Sequence, residues 1–360
     1  MVVEYLPQSE KEEVDHPHLE PAISSFAGRL GGNQDFVLDR NDPKNVALLE
    51  KVPDAAPCMT FAEIFDLKGF YSQDLWKFAM LECVASLMNV FISCWVTTHP
   101  MAATTYPTAG AGIYATVTFF SPLFGGITNL LLTPLLIYTF GASSGGHISP
   151  TITLACFFAR IISFPRTILY LAGQTLGGAL AGLALNTAYG NRNFTVGGCH
   201  IDTNFVPATD GLVIEFMACL VLIFLAFGVA LDPRQAKVFG PAVGPWFVGI
   251  ALGVVCWATA FTREGYIGAS KCKQKQGDEA RTRRELKRKK QNKEKVKSTF
   301  WGPLSNTHAG LNPARCFGAY VASEFPTYHW VHWVGPLAAS IAHGLVYFVD
   351  PLWTETRRLP

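Results

Sequence analysis

Apolar residues in this chain are gathered into long runs separated by short polar segments. A helix needs about 20 consecutive apolar residues to cross a bilayer, and six runs reach or approach that length. They lie at about Trp76–Thr98, Ile113–Phe140, Ile168–Tyr189, Val213–Leu231, Val243–Phe261 and Trp330–Val349. Apolar residues make up 49% of the sequence and charged residues only 16%, which is too apolar for an ordinary soluble domain. The pattern predicts an all-α membrane protein with six transmembrane helices.

Two similar motifs interrupt this apolar pattern, each after a loop that contains glycine. The first is GGHISPTIT, residues 145–153, and the second is AGLNPARCF, residues 309–317. Each places a polar residue, a proline and a small residue in succession. The motifs therefore suggest that one structural unit occurs twice in the chain.

A pair of carboxylates supports the same interpretation. Glu82 lies inside the first apolar run and Glu215 inside the fourth, at equivalent places. A carboxylate within a membrane helix is costly and is usually functional. Proteins that move solutes are often built from two inverted halves. We therefore expect an inverted repeat in which each half has three spans and one motif-bearing loop.

The spacings in the two halves agree only when one basic segment is set aside. Residues 270–309 hold 13 Lys or Arg and 4 Asp or Glu, whereas the rest of the chain has 16 basic and 23 acidic residues. Without this segment Ala269 joins Gly310 and the repeat fits. Its composition is compatible with nucleic-acid binding, with a solvated external loop, or with a retained intron. We favour the retained intron, because both ends can be encoded by splice-site sequences, and expect no nucleic-acid partner.

The two ends of the chain are polar. Residues 1–74 are acidic, and such a sequence buries too little apolar surface to fold alone, so we expect a disordered arm. Residues 351–360 form a short tail. Six spans place both termini on one side, and basic residues beside the second and fourth spans place that side in the cytosol. The channel domain is expected to cover residues 75–350 of a multi-pass protein, in the plasma membrane.

The motifs resemble the paired Asn-Pro-Ala loops of the aquaporin, or major intrinsic protein, family. The resemblance rests on SGGHISPTITLA and GLNPARCFG, and extends to LAGQTLGGALAG, ALDPRQ and HWVHWVGPLAAS. It covers about residues 75–350. Within the family, the altered first triplet, the pair Arg315-Cys316 and the loop NRNFTVGGC are similar to the uncategorised X intrinsic proteins of fungi and plants.

The resemblance implies six transmembrane helices plus two re-entrant half-helices that meet at a pore. Its motif residues are Ser149, Pro150, Thr151, Asn312, Pro313 and Ala314. Proline suits the first turn of a helix, and serine or asparagine before it is a good N-cap. Each half-helix N-terminus carries about half a positive charge, which opposes the passage of cations. Whether the threonine narrows the pore or packs away from it is left open.

The resemblance also suggests which residues select the solute. The filter arginine is Arg315, and counting back from the motifs places the other filter positions at Asn129, Ala260 and Ala269. These residues predict a wide aperture with two polar and two small apolar walls. Such an aperture favours glycerol, urea, hydrogen peroxide and boric acid, with water passing without selectivity. A water-selective channel is the alternative.

Further residues are expected to support the pore. Glu82 and Glu215 would brace the two loops by accepting hydrogen bonds from backbone N–H groups, with His147 and Gln174 assisting. No catalytic residue, metal site or cofactor is expected. A proton-coupled carrier, a membrane enzyme or receptor, and a channel inactivated by the insert are the remaining alternatives. The family commonly forms homotetramers, and the resemblance extends this expectation to the present chain.

Two cysteines are candidates for redox chemistry or cross-linking. Cys199 lies in the loop after the third span, and Cys316 follows the filter arginine. Cys199 could cross-link to another subunit or could have no role. The sequence does not pair either cysteine with a partner.

Overall fold

The structure is a computed structural model, which describes residues 25–31, 37–100, 120–203, 206–232, 238, 240, 242–260 and 309–349. Ala269, the insert before Ala309 and the C-terminal tail lie outside the described residues. Within them, helices dominate, and one two-stranded sheet is present.

Six long helices and two short ones form the described channel domain. They are α1 (Gln73–Val96), α2 (Phe120–Ser144), α3 (Pro150–Phe158), α4 (Phe164–Tyr189), α5 (Ala208–Ala226, continued by a π-helical turn at Phe227–Leu231), α6 (Gly244–Thr259), α7 (Pro313–Ala322) and α8 (Val331–Val349). Among the described residues, four segments are long and apolar enough to cross a membrane: α1, Leu123–Ser144 of α2, α4, and α5 with its continuation. The prediction of an all-α membrane fold with two half-helices, α3 and α7, is confirmed.

The two halves of the fold pack closely around the half-helices. Helix α4 lies against α7, where a Cβ atom added to Gly182 would be 2.2 Å from the carbonyl oxygen of Gly318. Only glycine permits backbones to approach this closely. The side chain of Asn186 also donates a hydrogen bond to the Ala322 carbonyl at the end of α7 (2.8 Å). The second half-helix is thereby fixed along its length by a helix of the other half.

A short sheet lies at the end of α1. Strand β1 (Thr98–Pro100) pairs antiparallel with β2 (Phe194–Val196), in a register that places Thr98 opposite Val196. The strand β2 belongs to the loop after α4. This pairing brings Cys199 towards the start of α7, where it forms a disulfide bond with Cys316.

The described part of the N-terminal arm, residues 25–31 and 37–72, contains local structure that the sequence did not predict. Residues 37–72 form short helical turns, one of which begins with a capping box between Thr60 and Glu63. Asp54 and Arg166 form a buried ion pair with two short contacts, of 2.6 and 3.0 Å. The arm lacks an apolar run of its own, but its scattered apolar residues pack against the channel, which supplies the missing core.

Candidate pore

The N-termini of half-helices α3 and α7 are both capped by side chains that line one cavity. Ser149 accepts a hydrogen bond from the Thr151 N–H (3.3 Å). Asn312 accepts bonds at Oδ1 from the N–H groups of Ala314 (3.0 Å) and Arg315 (3.3 Å). The proline after each cap occupies the first turn, where its missing N–H costs nothing. Because Oδ1 of Asn312 serves as the cap, its N–H₂ group remains available to a solute.

The backbone before each cap has the same unusual conformation. Ile148 has φ of 61° and Leu311 has φ of 56°. A positive φ is rare for residues other than glycine, and for a β-branched residue it is a genuine outlier. In each half the N–H of the capping residue bonds to the carbonyl oxygen two residues earlier, at 2.6 Å. The repeat therefore extends to the strained turns, and such strain is typical of functional sites.

Glu82 of α1 holds the first turn. Its Oε1 accepts hydrogen bonds from the hydroxyl of Ser144 (2.6 Å) and the N–H of His147 (3.1 Å). Its Oε2 accepts bonds from the N–H of Ile148 (2.7 Å) and from Nε2 of Gln174 (2.9 Å). The glutamate is fully buried, and its four donors satisfy both oxygens. This geometry is what the predicted bracing role requires.

Glu215 of α5 holds the second turn in the same way. Its oxygens accept bonds from the N–H groups of Gly310 (2.7 Å) and Leu311 (3.2 Å). Nδ1 of the buried His332 lies 3.2 Å from Oε1, a contact that the sequence did not suggest. Among the residues that the structure describes, no group of three or more His, Cys, Asp or Glu side chains could hold a metal ion.

His147 and Thr151 connect the first loop to other parts of the fold. The His147 ring nitrogens lie 3.2 Å from the Thr153 hydroxyl and 2.8 Å from the Gly28 carbonyl oxygen in the N-terminal arm. The Thr151 hydroxyl donates to the Leu311 carbonyl (2.7 Å) and is fully buried. Thr151 therefore does not narrow the pore. It joins the two loops, which explains why this position can hold a residue with a hydroxyl.

The cavity between the two halves has a volume of about 60 Å³. One water needs roughly 10–15 Å³ on this scale, so the cavity holds a short file of waters. Its polar wall residues are Asn89, Asn129, Thr133, His147, Ser149, Asn312 and Arg315. Among the described residues on the wall there is no Phe, Tyr or Trp. Along the described part of the wall, the cavity is therefore not restricted by the large ring of a Phe, Tyr or Trp side chain.

Arg315 lies against one wall of the cavity and is almost fully hydrogen-bonded. Nε donates to the Ser93 hydroxyl (3.1 Å), and one terminal nitrogen donates to the Thr97 hydroxyl (2.9 Å). The other terminal nitrogen is 3.3 Å from the sulfur of Cys199. These contacts draw the guanidinium to the end of α1, so that its charge faces the cavity from a fixed position.

The other predicted filter residues differ in their placement. Asn129 lines the cavity, and its amide nitrogen donates to the Gly125 carbonyl (3.0 Å) and contacts the Cys256 sulfur (3.5 Å). Cys256 lies on the wall that α6 contributes to this cavity. Ala260 lies one turn further along, at the end of the described part of that helix, with its side chain buried. Its assignment to the filter stays a prediction, as does that of Ala269, which lies outside the described residues.

Asn89 of α1 is a pore residue that the sequence analysis missed. It lines the cavity, and its amide has no hydrogen-bond partner among the described residues. It follows Glu82 by seven residues, or two helical turns, and so lies on the same face of α1. That periodicity is the signal that could have identified it.

The disulfide bond corrects the expectation for the two cysteines. Cys199 and Cys316 are bonded to each other within one chain. Cys199 is therefore not available to cross-link another subunit, nor is it without a role. The Tyr320 hydroxyl donates to the Cys199 carbonyl (2.7 Å), which attaches the same loop to α7 a second time.

Comparison with known proteins agrees with this architecture. The model of the major intrinsic protein family matches residues 70–269 and 300–347. Most of the basic insert is left unmatched. The matched residues nevertheless make up well over half of the chain and include both motif-bearing loops, both buried glutamates and the arginine at the cavity.

Individual relatives are distant. The probable aquaporin TIP4-1 of Oryza sativa subsp. japonica is 28% identical over 204 residues, 57% of this chain and 61% of the rice protein. This match spans less than two thirds of the rice protein. Aquaporin TIP4-3 of Zea mays is 27% identical over 76% of this chain and 86% of the maize protein. An aquaglyceroporin structure from Plasmodium falciparum has a TM-score of 0.48 and 14% identity, covering 77% of this chain and 98% of that one. On the family match, the chain belongs to the major intrinsic protein family of membrane channels.

Proposed function

We propose that this protein is a passive transmembrane channel for small uncharged solutes. The observation that carries the proposal is the cavity that passes both capped half-helix N-termini and the fixed guanidinium of Arg315. Two positive dipole ends and one cation repel cations at this point. Neutral solutes do not meet this barrier and can exchange hydrogen bonds with the wall.

The hydrogen-bonding groups on the wall favour solutes that both donate and accept. Asn312 offers N–H donors, because its oxygen is occupied by the cap. Asn129 offers its amide oxygen, because its amide nitrogen donates to the Gly125 carbonyl in the preceding turn of α2 and contacts the Cys256 sulfur. Polyols such as glycerol, amides such as urea, hydrogen peroxide and boric acid fit this combination. Water passes as well, because no aromatic residue among the described wall residues restricts the solute to water.

Several finer properties belong to the same proposal. Disulfides persist in oxidising compartments, which supports placing Cys199 and Cys316 on the external side and both termini in the cytosol. The Arg-Cys pair and the altered first triplet support a place among the X intrinsic proteins. A plasma-membrane location and a homotetramer with one pore per subunit follow from the family resemblance.

Stopped-flow permeability in proteoliposomes tests the function. The full chain is compared with a chain that lacks residues 270–309. The deletion places Ala269 directly before Gly310, where Ala309 stands in the full chain. An alanine therefore still occupies the position whose N–H donates a hydrogen bond to the Thr259 hydroxyl. We expect glycerol flux well above that of empty vesicles in the shortened chain, and less in the full chain. Water flux without glycerol flux in either chain would contradict the proposed solute class, and no flux in either would contradict the channel.

Asn89 provides a separate test of selectivity. The substitution Asn89→Ala removes an amide that is free to bond a solute, without filling the cavity. One hydrogen bond contributes about 1 kcal/mol, so glycerol flux is expected to fall by about fivefold, with a smaller change for water. The exposed Asn41→Ala serves as the control. An unchanged ratio of glycerol to water flux would exclude a role of Asn89 in selectivity.

A further inference from the structure

The N-terminal arm enters the pore at one end. We call this end the inner mouth; it lies around Gly146 and His147. His147 is bonded to Glu82 of α1, eleven residues or about three turns before the Ser93 that holds Arg315, so the two lie at different levels of the cavity. Leu30 forms part of the cavity wall there, although its side chain is only 1% exposed. Phe26 is 2% exposed in the same segment. A segment preceding the first transmembrane helix by more than 40 residues is thus buried within the channel.

Two backbone hydrogen bonds dock this segment on the first pore loop. The N–H of Leu30 donates to the Gly145 carbonyl (2.9 Å). The carbonyl of Gly28 lies 2.8 Å from Nε2 of His147. Both partners belong to the loop that carries the first half-helix cap. The docked segment therefore contacts the same short stretch of backbone that Glu82 holds from the other side.

The fit between the segment and the inner mouth is close. A Cβ atom added to Gly31 would lie 3.0 Å from the Cα atom of Gly141 in α2. The Phe26 ring is 5.8 Å from the His147 ring, and the Arg166 guanidinium lies over it at 4.1 Å. Such cation–π contacts stabilise a buried ring. The segment is therefore fitted by shape as well as by hydrogen bonds.

A second part of the arm anchors the segment from outside the pore. The N–H of Ala27 donates to the Asp54 carbonyl (2.9 Å), and Asp54 forms the buried ion pair with Arg166. Arg40 donates to the carbonyls of Pro53, Ala56 and Pro57 and pairs with Glu63. Although partial burial opposes the shift, hydrogen bonds from Thr60 and the nearby Arg40 lower the pKa of Glu63, so this ion pair stays charged at neutral pH.

Apolar side chains form part of the cavity wall, and one of them, Ile137, belongs to the part of α2 against which Gly31 packs. Ile137, Leu222 and Val248 line the cavity and are at most 6% exposed. Narrow apolar constrictions close pores by excluding water.

From these observations we infer that the inner mouth is a docking site whose occupant is the chain's own segment Ser25–Gly31, and that the docked Leu30 narrows the pore there and lowers its flux. The inference rests on the proposed channel function. It goes beyond that function because it assigns a restricted, partly conducting state to the described conformation. Removal of the segment opens the inner mouth, while the ion pair between Asp54 and Arg166 remains in place.

Permeability of truncated chains tests the effect of the segment on flux. A truncated chain that lacks residues 1–31 is compared with one that lacks only residues 1–24 and so keeps the docked segment. Both truncations are made in the full chain and in the chain lacking residues 270–309. We expect the longer truncation to raise water and glycerol flux at least severalfold per protein inserted, and the shorter one to leave flux unchanged. Equal flux for both truncations in a conducting background would overturn this effect.

Thiol labelling tests the docking independently of flux. Leu30→Cys is treated with a bulky maleimide and compared with Lys44→Cys, at an exposed position, and with the unsubstituted chain. We expect labelling at position 30 to be at least tenfold slower than at position 44. Equally fast labelling would overturn the docking. If neither the truncated chains nor the full chain conducted, both the channel function and the effect of the segment on flux would be contradicted. Slow labelling at position 30 in such a protein would still support the docking of the segment.

Discussion

Replacing Glu82 by leucine is expected to abolish solute flux and to lower the melting temperature markedly. Four donors point at this carboxylate. The Ser144 hydroxyl and the Gln174 amide have other acceptors nearby, since Ser144 also contacts the Phe140 carbonyl and Gln174 the Thr153 hydroxyl. The N–H groups of His147 and Ile148 have fixed directions and cannot turn to new partners.

The size of the effect follows from these two backbone groups. A buried donor without a partner costs about 1–3 kcal/mol, so the pair costs about 2–6 kcal/mol. This is a large part of the 5–15 kcal/mol that stabilises a typical domain. The strained turn at Ile148 depends on the same contacts, because a positive φ persists only where its surroundings enforce it. Loss of the carboxylate therefore releases the loop that forms the cavity wall.

Melting temperature and stopped-flow flux together test this prediction. Glu82→Gln retains one acceptor oxygen and is expected to be intermediate in both measurements. The exposed Glu50→Leu is the control for the loss of a carboxylate. Normal flux and stability in Glu82→Leu would show that the glutamate does not brace the loop. Normal stability with lost flux in Glu82→Gln would instead indicate that the negative charge itself is needed for transport.

The features that the sequence predicted correctly are those with a local signature. Apolar runs of membrane length predicted the spanning helices, because a bilayer allows few other structures. A capping residue followed by proline marks a helix start wherever it occurs. The motifs around Ser149 and Asn312 therefore indicated where two helices begin, and the family resemblance implied that these are half-helices.

The features that the sequence did not reveal depend on contacts between distant segments. Residues 25–72 look solvated because their apolar positions are sparse, and only packing against the channel shows that Phe26 and Leu30 are buried. The wall residues Asn89 and Cys256 were missed for a different reason. Each lies within an apolar run, and only the packing of the helices shows which positions of such a run face the cavity.

Removing the Cys199–Cys316 bond is expected to destabilise the protein strongly while changing flux per folded channel only slightly. The bond closes a loop between residues 117 apart in sequence. In the chain-entropy description, a loop of about 100 residues contributes about 4–5 kcal/mol through the unfolded state. The double variant Cys199→Ser, Cys316→Ser should therefore melt roughly 10 °C lower. Cys58→Ser, at a free and partly exposed cysteine, is the matched control.

Flux per folded channel should change little because Arg315 keeps its other partners. Its bonds to Ser93 and Thr97 do not involve the disulfide, so the guanidinium remains at the end of α1. Reducing agent should lower the melting temperature of the parent chain and leave the double variant unaffected. If the double variant instead kept its stability but admitted cations, the disulfide would be required to hold the filter, and the bonds from α1 would be insufficient. The two measurements thus separate a bond that stabilises the fold from one that determines selectivity.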